Sequence, residues 1–530
     1  FERRSALEAR PSGPPLNGWW TPTINMCIRH LPLALLLLVC CTAAAPPNVV
    51  YIYADDLGYG DWGNTAAVAP RTPNIDRLAR GGLVFTDGHA TSSTCTPSRY
   101  AVLTGRYAFR EPNARVLPGD APLLIKPGTP TLPSVLRSAG YATGCVGKWH
   151  VGLGTGAIDW NGEVAPGPLE VGFDESFIVP ATPDRVPCVY LDGHRVFHLD
   201  PADPITVSYK HKVGDLPTGK ERPDLLRYGL SAGHAGTIID RISRIGWMSG
   251  GRAAWWTDET MSDVLATRAE AFLRAHAAGK PFFLYFATNG IHVPRAPSEQ
   301  FLHSSQTGLR GDTIQELDWV VGRVLDTLDQ LKLTDHTLIV FSSDNGPVLD
   351  DGYADGAVAD AHGVRPAGPL RGGKYSIYEG GTREPFIVSW PGRVKPGTSA
   401  ALVSQVDLLA SLAHLANVPL PSGAGPDSVD VLPALLGDSP TGRNHFIEQS
   451  SPVLAIRQGG WKLIPPGDRP RLAALEEGDT AEGPRLTPAG QLFDLAADMG
   501  ETKNVIADHP DVAKRLTELL QHDRDATATR

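Results

Sequence analysis

Two acidic pairs carry the first hint of chemistry. Asp55-Asp56 follow the apolar run Asn48-Val49-Val50-Tyr51-Ile52-Tyr53-Ala54, and Asp344-Asn345 follow Thr337-Leu338-Ile339-Val340-Phe341-Ser342-Ser343. Each pair alone is ordinary turn chemistry, because Asp and Asn side chains bond their own backbone readily. At the ends of neighbouring buried strands, where open α/β sheets place ligands, they would crowd three carboxylates and an amide oxygen into one crevice. Two unit charges about 4 Å apart repel by roughly 4 kcal/mol at an effective dielectric near 20. A cation removes that cost, and an all-oxygen set without His or Cys selects a hard ion, Ca2+ or Mg2+.

Cations and imidazoles stand after other strand-like runs. Lys148 and His150, in Gly147-Lys148-Trp149-His150, are two residues apart and can face one side of an extended segment. They are no phosphate loop, since Ala142 breaks G-x-x-x-x-G-K and Trp149 replaces the Ser/Thr. His292 lies in Asn289-Gly290-Ile291-His292-Val293-Pro294, and Lys374 in Leu370-Arg371-Gly372-Gly373-Lys374-Tyr375, whose glycines let backbone approach a ligand. Cys95 stands in Ser93-Thr94-Cys95-Thr96-Pro97-Ser98-Arg99, followed by Tyr100-Ala101-Val102-Leu103-Thr104-Gly105-Arg106. Taken alone, such a thiol behaves as a small buried hydrophobe.

The elements that must position these groups read as alternating strands and helices. The run over 48–54 is β-branched and aromatic throughout, as in a strand buried on both faces, and similar runs recur at 141–146, 281–287, 337–341 and 385–390. An apolar stripe through Ile314, Leu317, Val321, Val324, Leu325, Leu328 and Leu331 predicts a helix over 312–331. Shorter helices are predicted at 75–80, 132–139, 261–277 and 406–415. The alternation gives the fold class as α/β, a large, mostly parallel or mixed sheet sandwiched by helices. Over 157–256 Pro, Gly and Asp interrupt every short apolar run, which predicts insertions above the sheet; loops of that length usually carry function. A hairpin over 453–464 around Gln458-Gly459-Gly460, a strand at 491–495 and a helix over 510–522 predict a small C-terminal α+β subdomain. The expected division is 47–430 for the main domain and 431–530 for the appendage.

Composition narrows the class. The chain has 530 residues, 42% hydrophobic content and a formal net charge of −10, with no long basic run, so it can bury a large core and is no nucleic-acid binder. Met26 opens a positive start, a short apolar run and small residues ending at Ala45, which predicts a signal peptide over 26–45 that is too short to span a membrane. Residues 1–25 lack periodicity and read as a non-native upstream segment. The expected location is secreted or periplasmic, with lipid attachment at Cys40 or Cys41 as a variant. Three of the six cysteines fall in this leader, leaving Cys95, Cys145 and Cys188, too few for a disulfide framework. If Cys95 is modified, the pairing left open is Cys145 with Cys188.

In their order, these motifs resemble the type I, arylsulfatase A-like sulfatases of the alkaline phosphatase superfamily along essentially the whole mature chain. The resemblance rests on Asp55-Asp56-Leu57-Gly58, Thr72-Pro73-Asn74-Ile75-Asp76-Arg77-Leu78-Ala79, Cys95 to Arg106 with its C-x-P-x-R signature, Gly147 to His150, Ser343 to Gly346 and Gly372 to Pro385. It implies an alkaline phosphatase-like fold and removal of sulfate from a sulfated carbohydrate or aryl sulfate. It further implies that Cys95 is oxidised to formylglycine by a maturation enzyme, and that Asp55, Asp56, Asp344 and Asn345 bind Ca2+. Arg99 and Lys148 would hold nucleophile and sulfate, Lys374 would bind a sulfate oxygen, His292 would protonate the leaving group and His150 would act on the aldehyde hydrate. Two other readings stay open: a phosphate or phosphonate ester hydrolase of the same superfamily, and a secreted binding protein that never receives the aldehyde. His234, Arg252 and Arg295 are candidates for sugar contacts.

Overall fold

In the computed structural model the described residues are 46–63, 66–467 and 487–530; the upstream segment, the leader, Cys40 and Cys41 lie outside them. The frame of the fold is one ten-stranded sheet. Its strands are β1 (Asn48–Ala54), β2 (Leu83–Phe85), β3 (Ala142–Lys148), β4 (Glu175–Val179), β5 (Leu191–Asp192), β6 (Arg195–Val196), β7 (Phe282–Ala287), β8 (Thr337–Ser343), β9 (Phe386–Ser389) and β10 (Gly397–Ser399). They lie in the order β10-β2-β9-β8-β1-β7-β3-β4-β5-β6.

The five strands from β8 to β4 run parallel, and antiparallel pairings begin at β9 on one side and β5 on the other. Every residue of β1, β7 and β8 is buried, as strands covered on both faces require. Two tyrosines in β1 carry hydroxyls that need partners in such a core. Tyr51 Oη lies 2.8 Å from Ser342 Oγ, and Tyr53 Oη donates to Gln405 Oε1 at 2.6 Å.

Strand register sets where the loops emerge. Ala54 pairs with Ser343, Tyr53 with Ala287 and Ala287 with Gly147, so four adjacent parallel strands end nearly level. The residues just past those ends therefore share one edge of the sheet. Helices Met261–His276 and Gly308–Gln330 pack against each other, and the second also covers Pro73–Arg80. Asp318 accepts from the backbone N–H groups of Asn74 and Ile75, satisfying donors that a helix start leaves free.

The helix Cys95–Thr104 was not legible in the sequence. All ten of its residues are buried, so no polar face marks a period of 3.6. It stops at Gly105, which adopts φ +61 and returns its N–H to Ala101; a Cβ there would meet Gly425 Cα at 2.7 Å.

A second, antiparallel sheet comprises His445–Ser450, Val453–Gln458, Trp461–Ile464 and Gln491–Asp494. Helix Pro510–Asp525 buries Leu516 and Leu520 against its Ile447, Ile456, Leu463 and Leu492, together with Ala101, Tyr107 and Val406. A buried ionic cluster lies where this sheet meets the segment around Glu379. Lys462 Nζ lies 2.7 Å from Glu448, 3.1 Å from Glu379 and 3.2 Å from Glu501. Arg457 Nη1 lies 2.6 Å from Asp87, 2.8 Å from His89 Nε2 and 3.2 Å from Glu379. Cys145 and Cys188 are free, buried thiols, and no helix among the described residues is long and apolar enough to cross a membrane.

Candidate active site

The level strand ends deliver the acidic pairs to one place. Asp55 N donates to Gly290 O at 3.1 Å and Ile291 N to Asp55 O at 2.8 Å, tying the loop after β7 to the end of β1. Asp344 N donates to Ala54 O at 3.1 Å on the other side. Asp56 adopts φ 64 and His150 φ 54, left-handed conformations that cost a non-glycine residue about 1 kcal/mol and recur at functional sites. Gly147 permits the close approach of β3 to β7: its φ is +103, and a Cβ would stand 1.9 Å from Ala287 O.

All ten predicted site residues are buried; eight of them join one network, and Cys95 and His150 face each other. Lys148 Nζ donates to both Asp55 oxygens at 2.7 Å and lies 3.8 Å from Asp344. Arg99 donates through Nε to Asp344 Oδ2 at 2.8 Å and through Nη1 to Lys148 O at 3.0 Å. Lys374 Nζ donates to Asp56 Oδ2 at 2.9 Å, Asn345 Nδ2 donates to Asp56 Oδ1 at 2.7 Å, and His292 Nε2 lies 4.0 Å from Asp56.

Cys95 opens its helix with 2% exposure, and its Sγ lies 3.3 Å from His150 Nδ1. His150 Nε2 faces Leu117 O at 2.9 Å, an acceptor only, so Nε2 carries the proton and Nδ1 presents a lone pair to position 95. Burial, then Lys148 and Arg185, hold His150 well below the usual imidazole range, which keeps that lone pair free. The helix N-terminus favours negative charge at 95. Burial nevertheless pushes the Cys95 thiol up. A protonated thiol is a poor nucleophile.

The electrostatics leave a gap that a cation fits. Burial, then the Asp344 carboxylate, push Asp55 up to about 8 in spite of Lys148. Burial opposes ionisation of Asp56 too, but Lys374 and Lys148 outweigh it and hold Asp56 low. Asn345 Oδ1 is buried without a hydrogen-bond partner among the described residues, and oxygens of Asp55 and Asp56 with a His292 nitrogen all lie within 4.8 Å of one another. An orphaned amide oxygen beside crowded carboxylates is the donor set of a hard cation.

Sequence reasoning missed Asp351. Its Oδ2 accepts from Lys374 Nζ at 2.8 Å and its Oδ1 from Tyr375 Oη at 3.1 Å. The acidic pair Asp350-Asp351, lying between Asn345 and Lys374, was the available signal. Asp184 and Arg185 were also missed. Asp184 accepts from Arg185 at 2.8 Å and faces His234 Nε2 at 2.9 Å, and its charge acts on His292. His234 thus adjoins the site. Arg295 instead braces two loops by donating to Ile291 O, Val348 O, Leu349 O and Asp355. Arg252 is exposed, with its guanidinium over the Trp255 ring.

A parallel sheet whose carboxyl edge presents a residue paired with a neutral imidazole, among cations able to bind an anion, defines a hydrolase of anionic esters. The comparisons with known proteins specify which. The Sulfatase family model matches residues 47–418. The chain is 50% identical to N-acetylgalactosamine-6-O-sulfatase of Bacteroides thetaiotaomicron, over 90% of this chain and 92% of that protein. It is 33% identical to human arylsulfatase A, over 94% of this chain and 92% of that one. A solved structure described for the metabolism of multiple glycosaminoglycans by Bacteroides thetaiotaomicron superposes with a TM-score of 0.87 at 48% identity, covering 91% of this chain and 100% of that one. The chain belongs to the sulfatase family and is a sulfatase with the alkaline phosphatase-like α/β fold.

Proposed function

We propose that this sulfatase removes sulfate from a sulfated carbohydrate, with 6-O-sulfated N-acetylgalactosamine as the first substrate, through a formylglycine made from Cys95. The substrate follows the name of the 50%-identical bacterial relative. The observation that carries the chemistry is the contact of Cys95 Sγ with the unprotonated His150 Nδ1 at 3.3 Å, on a thiol that burial keeps protonated. Sγ stands where a hydroxyl of the aldehyde hydrate would be. That hydrate supplies an oxygen nucleophile and, through its second hydroxyl, a route for expelling sulfate.

The chain's own residues then have distinct tasks. Asp55, Asp56, Asp344 and Asn345 would hold Ca2+, which supplies charge stabilisation for the transferred group. Four carboxylates, counting Asp351, face Lys148, Lys374 and Arg99, one negative charge in excess; a divalent ion reverses that sign and suits a singly charged ester. Lys148 and Arg99 orient the group at 95 and meet the sulfate, and Lys374 meets a sulfate oxygen. His150 Nδ1 takes the proton whose loss releases sulfate. Burial, then Lys374 and Lys148, hold His292 neutral, and Nδ1 faces Val293 O at 2.6 Å. Arrival of the ester's negative charge favours a second proton on Nε2, the one donated to the leaving alcohol. Asp184, Arg185 and His234, from the 157–256 insertion, would meet the sugar. The protein would act outside the cytoplasm after removal of its leader, with residues 431–530 completing the site as a subdomain.

The test is turnover of matched sulfate and phosphate esters by enzyme co-produced with a formylglycine-generating enzyme, alongside mass spectrometry of the Cys95 peptide. Sulfate release with the aldehyde present is expected. Faster phosphate release, or an active preparation with unmodified Cys95, would overturn the reading.

A further inference from the structure

Asp351 is anomalous for a residue in a sulfate site. Its carboxylate sits 2.8 Å from Lys374 Nζ, the ammonium assigned to a sulfate oxygen, so any substrate that reaches Lys374 meets a negative charge beside it. The loop around Asp351 is also fastened to the insertion. Ser231 Oγ donates to Asp350, Ser231 N donates to Gly352 O at 3.2 Å, and Tyr353–Ala354 pair with Gly229–Leu230. The Tyr353 ring lies 4.5 Å from the His234 ring. Asp351 is therefore fixed between the catalytic lysine and the insertion, on the side of His292 and His234.

Its carboxylate keeps unused bonding capacity. A carboxylate has about four acceptor sites, of which Lys374 and Tyr375 occupy two. Its side chain is 15% exposed where those of Asp55 and Asp344 are 0% exposed, so it is the carboxylate of this network that solvent, and hence a substituent on a substrate, can reach. A donor group on the leaving alcohol satisfies its open acceptor sites. A second anionic group there meets like charge in a poorly hydrated pocket, a common way of rejecting a wrong partner.

We propose that Asp351 is a specificity-determining residue that selects sulfate esters whose neighbouring substituents are neutral hydrogen-bond donors and rejects those with a second anionic group beside the scissile ester. The proposal rests on the sulfatase reading above and deepens it by naming the substrate class. Asp351 also helps to hold Lys374, so its loss slows every substrate. The decisive readout is accordingly a ratio.

The experiment measures kcat/KM of wild type, Asp351→Asn and Asp351→Ala on N-acetylgalactosamine 6-sulfate and its 4,6-disulfate. A second pair is 4-nitrophenyl sulfate with an ortho carboxamide or an ortho carboxylate. We expect wild type to prefer the neutral member of each pair by about tenfold or more, and Asp351→Asn to bring the ratio within about threefold of unity. A ratio unchanged in both variants, with all rates lowered alike, would reduce Asp351 to a brace for Lys374 and overturn the proposal. Turnover of the aryl pair with neither sugar cleaved would refute the sugar assignment, while the aryl ratio still decides the role of Asp351.

Discussion

Two buried ionic clusters in this molecule hold the same formal charges and are finished differently. At the candidate active site Asp55, Asp56, Asp344 and Asp351 face Lys148, Lys374 and Arg99. Beneath the C-terminal sheet Asp87, Glu379, Glu448 and Glu501 face Lys462, Arg457 and Arg383. Each cluster has one carboxylate in excess. Burial pushes one carboxyl of each cluster, Asp55 and Glu448, up to about 8, so a proton can supply the missing charge in either; in the second, Arg457 also fills the space between Asp87, His89 and Glu379 with a guanidinium. Both clusters keep buried polar atoms without a hydrogen-bond partner among the described residues, but in the first the orphan is a neutral amide oxygen, Asn345 Oδ1, beside three carboxylates, and our reading gives that place to a metal. Charge balance by itself therefore does not mark a functional site; what distinguishes one is who completes it.

Replacing the proposed nucleophile should break the comparison most sharply. Cys95→Ala is expected to lower kcat by at least about a thousandfold with an unchanged melting temperature, because the residue is small and buried. Lys462→Met should do the reverse. Removing that cation leaves three buried carboxylates without their shared partner, at a cost of about 3–5 kcal/mol, read as a lower denaturant midpoint. Chelation should separate the clusters a third way. Treatment with a Ca2+ chelator should abolish turnover and lower the melting temperature of wild type by several degrees, restored by Ca2+, and Lys462→Met should show the same chelator-induced drop. An equal melting temperature with and without metal would put the cation elsewhere.

The finest distinction is in pH. Glu448 has its folded value raised to about 8 from 4.5, chiefly by burial. Between those values the folded chain holds a proton that the unfolded chain has lost, so this group's contribution is full below the window and declines as pH rises through it. Asp55 and Glu501 are raised into the same window, to about 8 and about 7, so Glu448→Gln should remove part of the slope of the melting-temperature profile there. An unchanged slope would assign the proton to another group.

The sequence announced most of the first cluster and almost none of the second. Asp55, Asp344, Lys148 and His292 stand just past apolar strands or at their ends, where position alone implies a shared sheet edge. Glu448, Lys462 and Glu501 lie on an antiparallel appendage, and nothing in local pattern tells which solvated-looking charge a neighbouring layer will cover. Cys95–Thr104 escaped for a related reason: burial on every side erases the amphipathic signal that betrays surface helices. Asp351 was hidden in a loop, where contacts follow from tertiary closure rather than from period. The parallel core was anticipated; its antiparallel flanks depended on short strands such as Leu83–Phe85, too brief to carry a pattern.

The backbone beside Cys95 has one further consequence, in time rather than space. Ser93 N donates to Gln449 O and Gln449 N to Thr91 O, each at 2.9 Å, while Tyr375 N donates to Ser93 O at 2.9 Å. Tyr375 and Gln449 emerge from the ribosome more than half the chain later than Cys95 itself. The loop that is made early is thus closed by backbone that is made late. The order of synthesis is therefore part of how the backbone around Cys95 is completed.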